Sequence, residues 1–187
     1  MSYSNQQREL LLQIAGDSIE YGLRYSCALS VEPSDYENDL QAMRATFVTL
    51  HLRGELRGCI GNLEARQPLV VDVARNAYNA AFSDPRFSAM TSTEALLLDI
   101  HISVLGPHEP IDFSDEKDLL AQIRPDVDGL ILSDGACRGT FLPSVWEQLP
   151  APRDFLEHLK MKAGLPGGYW SETIRVERYT TESFGAE

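Results

Sequence analysis

The sequence has few cysteines and no long apolar run. Its three cysteines, Cys27, Cys59 and Cys137, are an odd number without a C-x-x-C pair, which is typical of free thiols in a reducing compartment. No stretch of about 18 apolar residues is present, and the first residues lack the basic start and apolar run of a secretory signal. We therefore expect a cytoplasmic protein without membrane association.

Basic residues are also scarce, and histidines show no ligand spacing. Sixteen lysines and arginines against 28 acidic residues give a formal net charge of −12, and the basic residues do not cluster. Such a surface repels polyphosphate backbones, so nucleic acid is a poor partner class. The four histidines form no H-E-x-x-H motif, so we expect neither a metal nor another cofactor.

Length and composition are those of an ordinary globular protein. The chain has 187 residues, of which 43% are hydrophobic and 24% charged. These values predict one domain over residues 1–187 rather than a disordered or fibrous chain. A monomer is the simplest expectation, and a homodimer through an exposed sheet edge is the alternative.

Helical and strand patterns alternate irregularly along the chain. Apolar residues at helical spacing predict helices over residues 6–25, from Pro68 to about 82, over 115–123 and over 153–163. Strict alternation predicts strands at 98–105 and 173–181, and a hairpin over 129–143 with Asp134-Gly135 at its turn. Without a regular βαβ succession, this order predicts an α+β fold with a mixed or antiparallel sheet flanked by helices.

Residues 46–61 predict a second hairpin, whose register decides which side chains share a face. A loop of three residues, 53–55, places Thr49 opposite Cys59 and His51 opposite Arg57. A loop of two residues would mix apolar with polar residues on each face, so we prefer the first register. His51 then lies only diagonal to the thiol.

The segment Arg57-Gly58-Cys59-Ile60-Gly61 is the main candidate site. Glycines on either side permit close approach of a backbone or a ligand, and Arg57 with the following helix start would favour a thiolate. Cysteine is also among the residues most often buried, so these small residues could simply serve a crowded crossing of two elements. The residues alone leave both interpretations open.

Two further groups are weaker candidates. Asp84 and Arg86 flank Pro85 after a helix end, where they could form a charge pair at the rim of a groove or cap the helix. Asp99, His101 and Ser103 alternate on one strand and stand about 6.6–7 Å apart, too far for a catalytic triad.

Six motifs in order carry a resemblance to a known family. They are TFVTL at 46–50, LRGCIG at 56–61, AAFSDPRF at 80–87, ISVL at 102–105, DGLIL with the later G-x-x-x-G-TFLP-x-VW over 128–146, and FLEHLKMKAGL at 155–165. This pattern resembles the AMMECR domain family, known in prokaryotes as protein A of the AmmeMemoRadiSam system. The resemblance implies an α+β fold with a larger and a smaller lobe, and a groove between them lined by the LRGCIG segment.

The resemblance also implies partners, but no particular reaction. It implies work beside a Memo-like protein and a radical S-adenosylmethionine enzyme, and a groove that binds a small molecule or a partner. We expect Arg57 to hold an anionic group, Cys59 to face the ligand, and Gly58 and Gly61 to allow close approach. Thr49, His51, Asp84 and Arg86 complete the expected groove. Whether Cys59 is a nucleophile or redox centre, or the groove only recognises a partner, stays open.

Overall fold

The computed structural model of the chain describes residues 2–185. Its α-helices are α1 (Asn5–Tyr25), α2 (Asn38–Gln41), α3 (Leu69–Phe82), α4 (Ser92–Ala95), α5 (Glu116–Gln122) and α6 (Pro152–Lys162). Its strands are β1 (Thr46–Leu52), β2 (Glu55–Gly61), β3 (Leu98–Leu105), β4 (Glu109–Pro110), β5 (Gly129–Asp134), β6 (Cys137–Phe141), β7 (Arg175–Tyr179) and β8 (Thr181–Gly185). Two antiparallel four-stranded sheets with these helices confirm the predicted α+β class. No helix in the described range is long and apolar enough to cross a bilayer.

The chain divides into two compact units, each with its own sheet. Among the described residues, the larger unit comprises 2–105 and 182–185, and the smaller unit comprises 106–181. The larger unit contains the sheet β2-β1-β3-β8, and the smaller contains β4-β7-β5-β6. Each sheet has a separate hydrophobic core on one of its faces.

Helices α1 and α3 form the core of the larger unit with one face of its sheet. A capping box at Ser4 and Gln7 starts α1. Pro68, which we predicted as the first helical residue, lies in extended backbone one residue before α3. The helices pack with Val48 and Leu50 of β1, which are completely buried. The opposite sheet face therefore carries the alternate residues of each strand.

The β1–β2 hairpin has a shorter turn than we predicted. Arg53 and Gly54 form a two-residue turn with φ of 55° and 83°, the positive values typical of a type I′ hairpin. A bulge then leaves Arg57 without a direct partner on β1, which shifts the register by one residue. Thr49 consequently pairs with Cys59, as predicted, but His51 pairs with Leu56 and not with Arg57.

The smaller unit packs α5 and α6 on its own sheet. Trp146 stacks on Phe155 of α6 with ring centroids 3.7 Å apart, and both side chains are buried against the strands. The β5–β6 turn consists of Gly135 and Ala136, so the predicted Asp134-Gly135 turn is displaced by one residue. The last predicted strand ends at Tyr179, and β8 is a further strand that alternation did not reveal.

Candidate functional site

Polar side chains gather on the face of the first sheet that α1 and α3 leave uncovered. We call this the polar face and define it by Thr49, His51, Cys59, His101 and Ser103. Register places Cys59, Thr49 and His101 in one row across β2, β1 and β3. All five side chains are at least partly exposed, whereas their neighbours Val48 and Leu50 are buried. Three strands thus present polar groups to one surface.

The Cys59 thiol makes its hydrogen bond with a hydroxyl. Its Sγ lies 3.2 Å from Thr49 Oγ1. The two residues form a non-hydrogen-bonded pair of the antiparallel ladder, because the Cys59 N–H and carbonyl point away from β1. Such pairs bring their side chains closest together in an antiparallel sheet. Because an activated cysteine is normally hydrogen-bonded to an imidazole, this partner gives the thiol a fixed position but not a base.

Asp84 and Arg86 hold the outer edge of β2 at Cys59. The Cys59 N–H donates to Asp84 Oδ2 at 2.9 Å, and Arg86 Nη2 donates to the Cys59 carbonyl at 3.4 Å. Since β2 is an edge strand, these two side chains replace the hydrogen bonds that a neighbouring strand would provide. The SDPRF turn after α3 therefore fixes the backbone that carries the thiol.

Asp84 is itself tightly bound and ionised. It is 4% exposed and accepts hydrogen bonds from the Arg86 guanidinium, the Arg86 N–H and the Cys59 N–H. The hydrogen bond with Arg86 is the main cause that holds the pKa of the Asp84 carboxyl far below its ordinary value, and the two backbone donors add to it. The pair is a permanent charge pair beside Cys59.

Arg57 points to a carboxylate of the chain itself. Its Nε and Nη2 donate to the two oxygens of Glu94 at 2.9 and 3.3 Å, and Nη2 also donates to the Ser88 carbonyl. The hydrogen bond with Arg57, followed by the Thr91 N–H and hydroxyl, lowers the pKa of Glu94 to about 2. An external anion at Arg57 would therefore compete with Glu94. Of the three side-chain nitrogens of Arg57, only the buried Nη1 has no hydrogen-bond partner within the described residues.

Neighbouring parts of the protein fill the space beside both glycines of the LRGCIG segment. A Cβ atom on Gly58 would lie close to the Ala80 carbonyl oxygen of α3. A Cβ atom on Gly61 would meet the Thr46 carbonyl oxygen and the Phe47 ring of β1. Close approach does require glycine here, but the atoms that approach belong to the protein.

Two histidines of the polar face contact each other. The His51 and His101 rings meet edge to face, with centroids 5.3 Å apart. In the range 2–185, no group of three or more His, Cys, Asp or Glu side chains is arranged to hold a metal ion. The two imidazoles bring hydrogen-bonding ring nitrogens close together on the polar face.

Sequence reasoning missed one buried polar centre. Asp72 is 1% exposed and accepts hydrogen bonds from the Thr46 N–H, the Thr46 hydroxyl, Asn62, Gln67 and Asn76. It ties α3 to the start of β1 and to the segment after β2. The only sequence signal for this centre was an acidic residue within the apolar stripe of α3. The partners of Asp72 are spread over 30 residues of sequence, from Thr46 to Asn76.

The geometry defines a class of protein: an α+β protein with a fixed, partly exposed thiol on a polar sheet face. Its relatives agree in sequence and in fold. A sequence profile of the AMMECR1 family matches residues 12–184. The chain belongs to the AMMECR1 family.

Archaeal and bacterial proteins match over nearly the whole chain. A protein of Methanothermobacter thermautotrophicus is 37% identical over 187 residues, which cover 97% of this chain and 95% of the relative. A protein of Thermotoga maritima is 33% identical, over 89% of this chain and 91% of the relative. The crystal structure of an uncharacterised protein from Pyrococcus horikoshii superposes with a TM-score of 0.87 at 33% identity, covering 96% of this chain and 91% of that one.

Proposed function

We propose that the polar face binds a ligand, either a small molecule or a segment of a partner protein. The observation that carries the proposal is the segregation of side chains on the first sheet. Thr49, Cys59 and His101 form one partly exposed row, while the opposite face is closed by α1 and α3. A few polar side chains held in fixed positions can orient a ligand and make its binding specific.

The chemistry of the row favours binding over covalent catalysis. The thiol pairs with the Thr49 hydroxyl, and Asp84 and Arg86 immobilise its peptide group. Such a group is preorganised, which reduces the entropy lost when a ligand docks. His51 and His101 add donors and acceptors within reach of the same ligand.

Membership of the AMMECR1 family supports the choice of partners. We propose that the ligand belongs to a pathway shared with a Memo-like protein and a radical S-adenosylmethionine enzyme. The net charge of −12 favours the encounter with a partner of basic character. The proposed contact on this chain is the polar face.

Affinity measurements with His101→Ala test the binding face. Purified Memo-like protein and radical enzyme from the same organism are titrated against the wild-type chain by calorimetry. His101 is the exposed member of the row, at its β3 end, so its loss should weaken binding about tenfold. The matched control is His158→Ala, which removes an exposed histidine of α6 and should bind like the wild type. Equal affinities for the His101 and His158 variants would refute the proposed face.

A cysteine-dependent enzyme is the second candidate. The observation in its favour is that Cys59 is fixed on three sides, by Thr49, Asp84 and Arg86, while staying partly exposed. An active nucleophile should react with iodoacetamide much faster than the exposed Cys27 of the same molecule. Mass spectrometry of alkylated peptides, with Cys59→Ser as the control, measures both rates. A Cys59 rate at or below that of Cys27 would remove this candidate.

A further inference from the structure

The smaller unit contains a cavity of its own, formed by residues that take no part in the polar face. Its volume is about 570 Å³, within the range of roughly 300–1,000 Å³ that is usual for small-molecule sites. Residues of β5, β6 and β7 form one wall, and the segments after β4 and before β7 form the others. The cavity therefore lies at one end of the second sheet.

Two arginines flank a serine on the sheet wall. Arg138 of β6 and Arg175 of β7 both pair with Ser133 of β5, so the three residues form one row on a single face. Directly opposite residues have Cβ atoms about 5 Å apart, which places the two arginine Cβ atoms about 10 Å apart. Their long side chains can therefore both reach an anionic group above Ser133. Planar guanidinium groups form strong, often paired hydrogen bonds with carboxylates.

Aromatic rings form an apolar wall beside this row. Trp170 and Phe113 line the cavity with ring centroids 5.7 Å apart. The buried Lys160 ammonium lies 5.4 Å from the centroid of the Trp170 ring and is hydrogen-bonded to Glu116. This cation–π contact stabilises the position of the indole. A partly exposed, supported indole is suited to contact with the apolar portion of a ligand.

Three carboxylates complete the lining and limit the ligand's charge. Asp112, Glu172 and Glu177 border the same cavity as the two arginines. They disfavour a phosphate chain or another polyanion, and the chain's net charge of −12 adds to this repulsion. They favour instead a ligand that also carries a positive group.

We propose that this cavity binds a zwitterionic ligand, namely a free α-amino acid or a very short peptide with an apolar side chain. The ligand's carboxylate lies between Arg138 and Arg175, its ammonium group faces the carboxylates, and its side chain contacts Trp170. This site is carried by the smaller unit and does not depend on the function proposed for the polar face.

Three small probes test each part of the proposed ligand on the full-length chain. L-Phenylalanine is titrated while the indole N–H resonance of Trp170 is followed by NMR, with Trp170→Phe used to assign it. N-acetyl-L-phenylalanine lacks the ammonium group, and phenethylamine lacks the carboxylate. Phenylalanine should shift the resonance in a saturable way, and each altered probe should bind about tenfold more weakly. No saturable shift with phenylalanine, or equal binding of either altered probe, would overturn the proposal.

A charge-removing variant gives a second measurement. Arg175→Gln should weaken phenylalanine binding about tenfold, because one charge-assisted pair is lost. The matched control is Arg153→Gln, which removes an exposed arginine of α6 outside the cavity and should leave the affinity unchanged. Equal affinities for the two variants would contradict a carboxylate site at Arg175, and the comparison of probes on the wild-type chain does not require either variant to fold.

Discussion

Replacing Gly58 by alanine tests why the LRGCIG segment contains glycine at all. A Cβ atom there would meet the Ala80 carbonyl oxygen at a distance about 1 Å shorter than an ordinary C···O contact of about 3.3 Å. Both atoms belong to backbone, one in an edge strand and one in a buried helix. No side-chain rotation can relieve the contact, so β2 and α3 must move apart.

The expected cost is about 3 kcal/mol of unfolding free energy, at the upper end for an overpacked core. For a chain of this length that corresponds to a fall in Tm of about 6–12 °C. Urea and thermal denaturation followed by circular dichroism measure both values.

Gly168→Ala provides the matched control, because a Cβ atom there meets nothing within 4 Å and the backbone is not in the left-handed region. The control should be neutral or slightly stabilising. If Gly58→Ala cost less than about 1 kcal/mol, the glycine would not be explained by helix contact, and room for a ligand would become the better explanation.

Three further predictions concern buried or paired acids. Asp72→Asn should cost about 3 kcal/mol in urea denaturation, because both carboxylate oxygens accept hydrogen bonds and the amide nitrogen would face donors in either orientation. Glu94 has a native pKa of about 2 against an ordinary 4.5, so its stabilisation is present above pH 4.5 and lost as pH falls toward 2. Glu94→Gln should therefore reduce the difference in stability between pH 7 and pH 3 by about 1 kcal/mol, after solvent screening of its pair with Arg57; an unchanged difference would contradict the pair. Burial raises the pKa of Tyr179 to about 12, so Tyr179→Phe should remove one late-titrating tyrosine from the absorbance titration, and the stability of the wild type should fall as pH rises from 10 to 12.

Local signals predicted the elements that depend on local physics. Pro68 and the apolar stripe after it predicted α3. These features are determined within one or two helical turns. Strand β3 was equally clear, because its alternating residues face a core on one side only.

The hairpin shows where this reasoning stops. The preference for separated apolar and polar faces correctly placed Thr49 opposite Cys59, although the turn has two residues and not three. The bulge at Arg57 supplies the missing residue, and it exists where Arg57 meets Glu94, 37 positions away in the sequence. A long-range ion pair leaves no mark on local alternation, so His51 was assigned the wrong partner.

The structure brings Cys59, Asp84 and Arg86 together through contacts that the sequence did not predict. Asp84 and Arg86 were expected either at the rim of a groove or as a helix cap, and both are hydrogen-bonded to the Cys59 peptide groups. Gly58 was expected to admit a ligand, and its space is taken by α3. These roles depend on which backbone groups remain unpaired after folding, and only the assembled sheet reveals that.

Protection of Cys59 from alkylation tests the binding face most directly. The wild-type chain is treated with iodoacetamide with and without saturating Memo-like protein, and the rates at individual cysteines are read by mass spectrometry. We expect the complex to slow alkylation of Cys59 severalfold while the exposed Cys27 reacts as before. A complex that forms with full affinity yet leaves the Cys59 rate unchanged would contradict the claim that the polar face is where the partner binds.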